Sequence, residues 1–200
     1  MNRTPKIAVM AVIGVMTVAG CGGEQTTPSR PAVPPAEAYP RMSLPEADSL
    51  VAVDGTVIEV NPSAVTVTEP TGDRKATAVT VTYPDLGAHI YYTVRSVTAA
   101  EMESAVDNRL ERMSLNLGGI PAQTEHTSAD SPLEGVILTA RSGSQTPVQL
   151  LVVGNDFVVS GTAFIDDAHA STRYDSIRPL VDMLYDDMVR AVPSAHFVKQ

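Results

Sequence analysis

Through the middle of the chain, apolar and polar residues alternate in short runs separated by turn residues. Val65 and Val67 alternate with Thr66 and Thr68, and Val79, Val81 and Tyr83 alternate with Thr80 and Thr82. After the break Pro84-Asp85-Leu86-Gly87, the pattern resumes with Ile90, Tyr92 and Val94 on one face and His89 and Tyr91 on the other. A period of two belongs to a strand with one buried face, so Ala64–Thr68, Thr77–Tyr83 and His89–Val94 are expected as half-buried strands. Upstream, Asp54-Gly55 lies between the β-prone runs Leu50–Val53 and Thr56–Val60, which predicts a hairpin. Pro70-Thr71-Gly72-Asp73 reads as a turn.

The period then changes. Met102, Val106, Leu110, Met113 and Leu117 recur at steps of three or four, the apolar stripe of a helix. Thr98 and Glu101 have capping-box spacing at its start, and Gly118-Gly119 ends it. An extended stretch is expected over Ala122–Thr127. Three more strands follow at Glu134–Arg141, Val148–Val153 and Phe157–Ile165, joined through Ser142-Gly143-Ser144 and the tight turn at Gly154-Asn155. Val148–Val153 is apolar on both faces, which predicts an interior strand covered on both sides. A last helix is expected from an N-cap at Ser176, with Pro179 at its third position, where no intrahelical donor is lost. Its stripe is Ile177, Leu180, Val181, Leu184, Met188 and Val192, and Pro193 stops it. Asp182, Asp186, Asp187 and Arg190 fall mostly outside the stripe and read as a solvated outer face.

Short hairpin connections exclude a purely parallel sheet. The expected fold class is α+β, a mostly antiparallel sheet with two main helices packed against it, occupying residues 39–200.

The N-terminus has a different logic. Arg3 and Lys6 precede an uncharged apolar run from Ile7 to Ala19, and Thr17-Val18-Ala19-Gly20-Cys21 resembles a bacterial lipobox. As a helix, the run would be roughly 20 Å long, too short to cross a bilayer core of about 30 Å. Residues 1–20 are therefore expected to be a lipoprotein signal peptide, with Cys21 as the acylated residue and the lipid bilayer as its partner. Several acyl chains, at about 0.8 kcal/mol per buried CH₂, anchor a protein stably. Residues 21–38, with Pro28, Pro31, Pro34 and Pro35, read as an extended tether. The expected location is the cell envelope, facing the periplasm. Gly22 follows the cysteine, and neither the inner nor the outer membrane is singled out.

Composition narrows the function classes. Without Arg3 and Lys6, 12 basic residues stand against 23 acidic ones, a net charge of −11. Such a surface repels nucleic acid. Cys21 is the single cysteine, so no internal disulfide forms. With no tryptophan and few aromatics, the core must be built mainly of Val, Leu, Ile, Ala and Met.

No catalytic constellation stands out, and neither a metal nor a cofactor is expected. His89, His126, His169 and His196 lack metal-helix spacing. Asp166, Asp167 and His169 cluster after a strand, a pattern more often a solvated loop than a ligand set. Ser160-Gly161 lies inside a strand and lacks the nucleophile elbow. Gly118-Gly119 is a helix stop, not a phosphate cradle. The His89/Tyr91 face is open to two readings, partner contact or ordinary strand packing. Tyr39 and Arg41 sit in an extended arm ahead of the sheet, the kind of segment that docks by pairing with another chain.

Three stretches resemble one family, the gliding-motility lipoproteins called GldD. Tyr39-Pro40-Arg41-Met42-Ser43-Leu44-Pro45-Glu46 is similar to a family segment, with Pro40 in place of an aromatic. Tyr83-Pro84-Asp85-Leu86 through Ile90-Tyr91 is similar to an aromatic-Pro-Asp-Leu turn and its following strand. Tyr174-Asp175-Ser176-Ile177-Arg178-Pro179-Leu180-Val181 is similar to the start of the family's last helix. They occur in the family's order and bracket nearly the whole of 39–200. The resemblance implies a non-catalytic accessory lipoprotein of a gliding-motility or type IX secretion complex in the cell envelope. The alternative from the residues alone is a periplasmic ligand-binding module or enzyme that uses the sheet as a pocket floor.

Overall fold

A computed structural model describes residues 43–46, 49–72, 75–117, 121, 123–140, 144–166 and 174–198. The chain separates into two compact units, Met1–Ala38 and Tyr39–Gln200, and all described residues belong to the second.

A small hairpin opens the unit, pairing β1 (Val51–Ala52) with β2 (Glu59–Val60). Its strands are shorter than the sequence pattern implied, but the turn is where Asp54-Gly55 placed it. The Val53 carbonyl accepts from the Thr56 amide at 3.1 Å, and Gly55 takes a positive φ of 72° that few other residues adopt at low cost.

The main sheet holds β3 (Val65–Pro70), β4 (Ala76–Tyr83), β5 (Ala88–Ser96), β6 (Gln123–His126), β7 (Glu134–Thr139), β8 (Val148–Val153) and β9 (Phe157–Ile165). Its spatial order is β3-β4-β5-β9-β8-β7-β6, and every pairing is antiparallel. Two meanders therefore meet at a seam. β3 to β5 form the first and β6 to β9 the second. At the seam, Ala88–Ser96 pairs with Ile165–Phe157 along the full length of both strands. Helix α1 (Ala99–Asn116) carries the chain from β5 to the far edge at β6, and α2 (Tyr174–Arg190) follows β9. This is an α+β fold with a mostly antiparallel sheet and two packed helices.

The helices lie on opposite faces of the sheet. Adjacent residues of β8 divide between two cores, as strand alternation requires. Leu150 and Val152 pack with Leu180, Leu184 and Met188 of α2. Leu151 packs with Met113 of α1, together with Val97, Leu138 and Val158. This explains the doubly apolar run at 148–153: β8 is interior and helix-covered on both faces. Each fully buried Leu or Ile in these layers contributes about 1.5–3 kcal/mol relative to exposure.

Thr98 and Glu101 cap α1 as expected. The Glu101 carboxylate accepts from the Thr98 amide at 3.0 Å and from its hydroxyl at 2.9 Å. The expected α1 stripe is only partly used. Met113 is fully buried, Met102, Val106 and Leu117 pack beside it, and Leu110 is exposed. Helix α2 starts at Tyr174, before the expected cap at Ser176. Pro179 accordingly lies inside the helix, at an exposed position, and removes one i→i−4 bond there.

Two expectations about burial are corrected. Val65 and Val67 are 56% and 48% exposed rather than turned into a core. They lie on the α1 side of the sheet, but α1 packs over β8 and β9 and does not reach the edge strand β3. Asp187 is not on a solvated outer face: it is 5% exposed, whereas Asp182 and Asp186 are exposed. The hairpin β1–β2 and the end of β4 close over that side of α2.

Candidate functional site

The three stretches singled out in the sequence converge on α2. Tyr83, last residue of β4, donates its hydroxyl to the Asp187 carboxylate. Arg190 donates to the same carboxylate at 3.2 Å, and Asn61 adds a side-chain hydrogen bond. Leu44, Pro45 and Glu46 line a cleft of about 530 Å³ with Pro179, Met183 and Arg190. Burial raises the Asp187 pKa above the ordinary carboxylate value, and its three hydrogen-bonded partners offset this only in part. The Tyr83 hydroxyl is held firmly protonated by burial and by the adjacent carboxylate. These groups tie β2, β4 and α2 together.

The α1 face of the sheet divides into two regions. The first is uncovered. His89 stacks on Tyr91 at 5.8 Å between ring centroids, and Phe164 of the neighbouring β9 lies 6.3 Å from His89 and 6.5 Å from Tyr91. The ring of His89 is fixed between Thr82 Oγ1 at 3.2 Å and Asp166 Oδ1 at 3.8 Å from its two nitrogens. Tyr91 is 46% exposed, and register across β4 places Val65 and Val67 on this same face. Ile90 and Tyr92, on the opposite face, are buried under α2. The two faces of β5 thus have different fates, which alternation alone did not distinguish.

The second region is a cleft of about 630 Å³ between α1 and the β5–β9 seam. Its floor is Thr93 and Arg95 of β5 with Val158 and Ser160 of β9, and its wall is the Glu101, Ser104, Asn108, Arg109 and Arg112 side of α1. Arg109 reaches the sheet. Its Nη2 donates to the Gly161 carbonyl at 2.7 Å, Thr162 Oγ1 at 3.0 Å and Gln149 Oε1 at 3.2 Å. Thr162 Oγ1 also donates to Gln149 Oε1 at 3.1 Å. All three acceptors of Arg109 are neutral, and among the described residues neither Arg109 nor Arg112 forms an ion pair. The buried Nε of Arg109 and Nε2 of Gln149 have no hydrogen-bond acceptor among the described residues. Burial, reinforced by Arg112, lowers the Arg109 pKa to about 10, so the group stays cationic at neutral pH. Among the described residues, Glu101 is the one carboxylate of the lining. It is held by Thr98 and by Lys75 at 3.5 Å, which keep its pKa below the ordinary value.

The arrangement suits binding an anion better than making or breaking bonds. Ser104 and Ser160 have no histidine in the lining to activate them. Among the described residues, no group of three or more His, Cys, Asp or Glu side chains is placed to hold a metal ion. Cys21, Tyr39, Arg41, Asp167, His169, Gly118 and Gly119 lie outside the described residues, so the expected lipidation site, docking arm and acidic loop are not placed here. The arginine cleft escaped the sequence reading. Arg95 shares a β5 face with His89 and Tyr91, and Arg109 and Arg112 flank the α1 stripe, but nothing in linear spacing joins them.

Comparison of the chain with protein-family models, with curated proteins and with solved structures gives no match in any of the three.

Proposed function

We propose that this protein is a lipid-anchored, non-catalytic accessory component of a gliding-motility or type IX secretion complex, held in the cell envelope by acylated Cys21 and facing the periplasm. The anchor rests on the lipobox at Thr17–Cys21 and on the proline-bearing tether at 21–38. The family resemblance supplies the type of machine.

The observation that carries the docking role is the uncovered region of the sheet. Val65, Val67 and Tyr91 are exposed on one face of the sheet, with Thr80 and Thr82 of β4 between them, and among the described residues no helix covers them. Its edge strand β3 is paired on one side only, by β4, among the described residues. The other edge is partly occupied by the chain itself, through the bridge of Thr127 with Phe197 and the bond from the Val198 amide to the His126 carbonyl at 3.3 Å. The occupant we assign to the uncovered face is a protein of the envelope complex, added alongside β3 and over Tyr91.

The test is a gentle-detergent affinity purification of the tagged full-length protein from its own envelope, read by mass spectrometry. Secretion-machine membrane and ring proteins are expected to co-purify. Recovery of the protein alone, under conditions that keep known envelope complexes intact, would count decisively against docking.

A further inference from the structure

We infer that the segment received at β3 is an extended strand that pairs antiparallel with Val65–Glu69 and reads, from its own N-terminal end, basic-x-apolar-x-apolar. This rests on the docking reading above and names the chemistry of the partner at that same edge. The ladder decides which backbone groups are free. The Thr71 amide donates to the Ala76 carbonyl at 3.1 Å, and the Ser96 amide donates to the Lys75 carbonyl at 2.8 Å. Bonding alternates along an antiparallel strand, so Ala76, Ala78, Thr80 and Thr82 turn their peptide groups to β3, while Lys75 and its alternates turn theirs to β5. By register, Val65, Val67 and Glu69 exchange bonds with β4. Thr66 and Thr68 therefore direct both N–H and C=O away from the sheet, and neither has a backbone partner there among the described residues. Pro70 follows, has no N–H, and ends the edge.

Edge strands are ordinarily guarded by lysines, inward charges, bulges or covering segments, because bare ones pair with other chains. Val65-Thr66-Val67-Thr68 carries no charge, and its register with β4 runs from Val65 to Pro70 without a bulge. The opposite edge is treated differently, since the chain's own Phe197 and Val198 lie along the end of β6. Side-chain requirements follow from the pairing. In an antiparallel addition, residues opposite Thr66 and Thr68 exchange both backbone bonds. Those opposite Val65, Val67 and Glu69 form the non-hydrogen-bonded pairs, whose Cα atoms approach to about 4.5 Å rather than about 5.5 Å. All three close positions fall on the face shared with Tyr91. Val65 and Val67 are half exposed there, so each has apolar surface for a β-branched or aromatic neighbour. Glu69 is exposed and forms no ion pair among the described residues, so a cation is its favoured neighbour. The net charge of −9 likewise attracts a basic segment and repels an acidic one. Following β3 backwards from Glu69 to Val65 gives the order basic-x-apolar-x-apolar.

The test is an NMR titration of the isotope-labelled full-length protein, in mild non-ionic detergent, with the end-capped peptide Lys-Thr-Val-Thr-Val. Saturable shifts are expected at the Thr66 and Thr68 amides, with a dissociation constant on the order of 1 mM or tighter. N-methylation of the two peptide threonines removes the donors that face β3 and is expected to abolish the shifts. N-methylation of the two peptide valines, whose N–H groups point outward, is expected to keep them. Glutamate in place of the peptide lysine is expected to weaken binding by about threefold. Thr68→Pro deletes one outward donor and leaves the ladder to β4 complete. It is expected to weaken binding by about tenfold with the amide spectrum of β4 and β5 unchanged. No shift at Thr66 and Thr68 at about 5 mM peptide would overturn the inference, as would equal binding of the peptide methylated at its threonines. The docking reading is judged separately by the affinity purification. Envelope partners recovered equally with wild type and Thr68→Pro would leave docking standing and overturn pairing at β3. Peptide binding as expected, with no secretion-machine protein recovered, would support the strand site and remove the machine.

Discussion

The phenol of Tyr83 donates its hydrogen bond to the carboxylate of Asp187, joining the last residue of β4 to the middle of α2 across 104 positions of sequence. Asn61 and Arg190 complete the shell of that carboxylate. Because Asp187 is buried and ionisable, this contact makes the stability of the fold depend on pH.

Burial raises the Asp187 pKa in the folded state above the value near 3.8 that the unfolded chain shows. Between those two values the native state holds a proton that the unfolded state has released, so unfolding free energy falls as pH rises. The contribution of protonated Asp187 is complete below the unfolded pKa and is lost as pH rises through the folded one. Asp187→Asn removes this dependence. The wild-type-minus-variant difference in denaturant midpoint is expected to decline with rising pH through that window and then level off, measured by urea titration from about pH 3.5 to pH 7. A flat difference would refute the assignment.

Tyr83→Phe deletes one donor to Asp187 and leaves Asn61 and Arg190 in place. A buried carboxylate short of one hydrogen bond costs about 1–3 kcal/mol, which chemical denaturation at neutral pH will read.

Gly161 sits where β9 passes beneath α2. A Cβ there would meet Met188 Cε at 2.9 Å and the Tyr92 ring at 3.0 Å. Gly161→Ala is expected to destabilise by about 1–3 kcal/mol through overpacking, and Gly161→Val by more. Gly72, whose added Cβ would meet open space, is the control: Gly72→Ala should lie within about 0.5 kcal/mol of wild type.

The docking face is testable without disturbing the core. Val65→Lys and Val67→Lys change side chains that are 56% and 48% exposed, so stability should stay within about 0.5 kcal/mol. Recovery of envelope partners in the affinity purification should fall sharply for both. Retention of every partner would remove this face from the docking reading.

Cys21→Ser removes the acyl acceptor. The variant is expected in the soluble periplasmic fraction, and its persistence in washed membranes would refute the lipid anchor.

Much of this architecture is written in local pattern. The capping pair Thr98/Glu101, the turns at Asp54-Gly55 and Gly154-Asn155, and the two-faced apolar run Val148–Val153 each reflect interactions within a few residues or a single strand's periodicity. Hence nearly every element was legible, and so was the α+β class with its mostly antiparallel sheet. What the local pattern could not hold is which neighbour covers which face. Val65 and Val67 have a buried strand's alternation but face solvent, because α1 crosses over β8 and β9 and stops short of β3. Asp187 has a surface residue's chemistry but is buried, because β2 and the end of β4 close over α2. Arg95, Arg109 and Arg112 meet only because the crossover from β5 to β6 lays the polar side of α1 over the β5–β9 seam. Periodicity says that a residue has a side; only the packing of distant segments says what lies on it, and burial, charge and binding all follow from that.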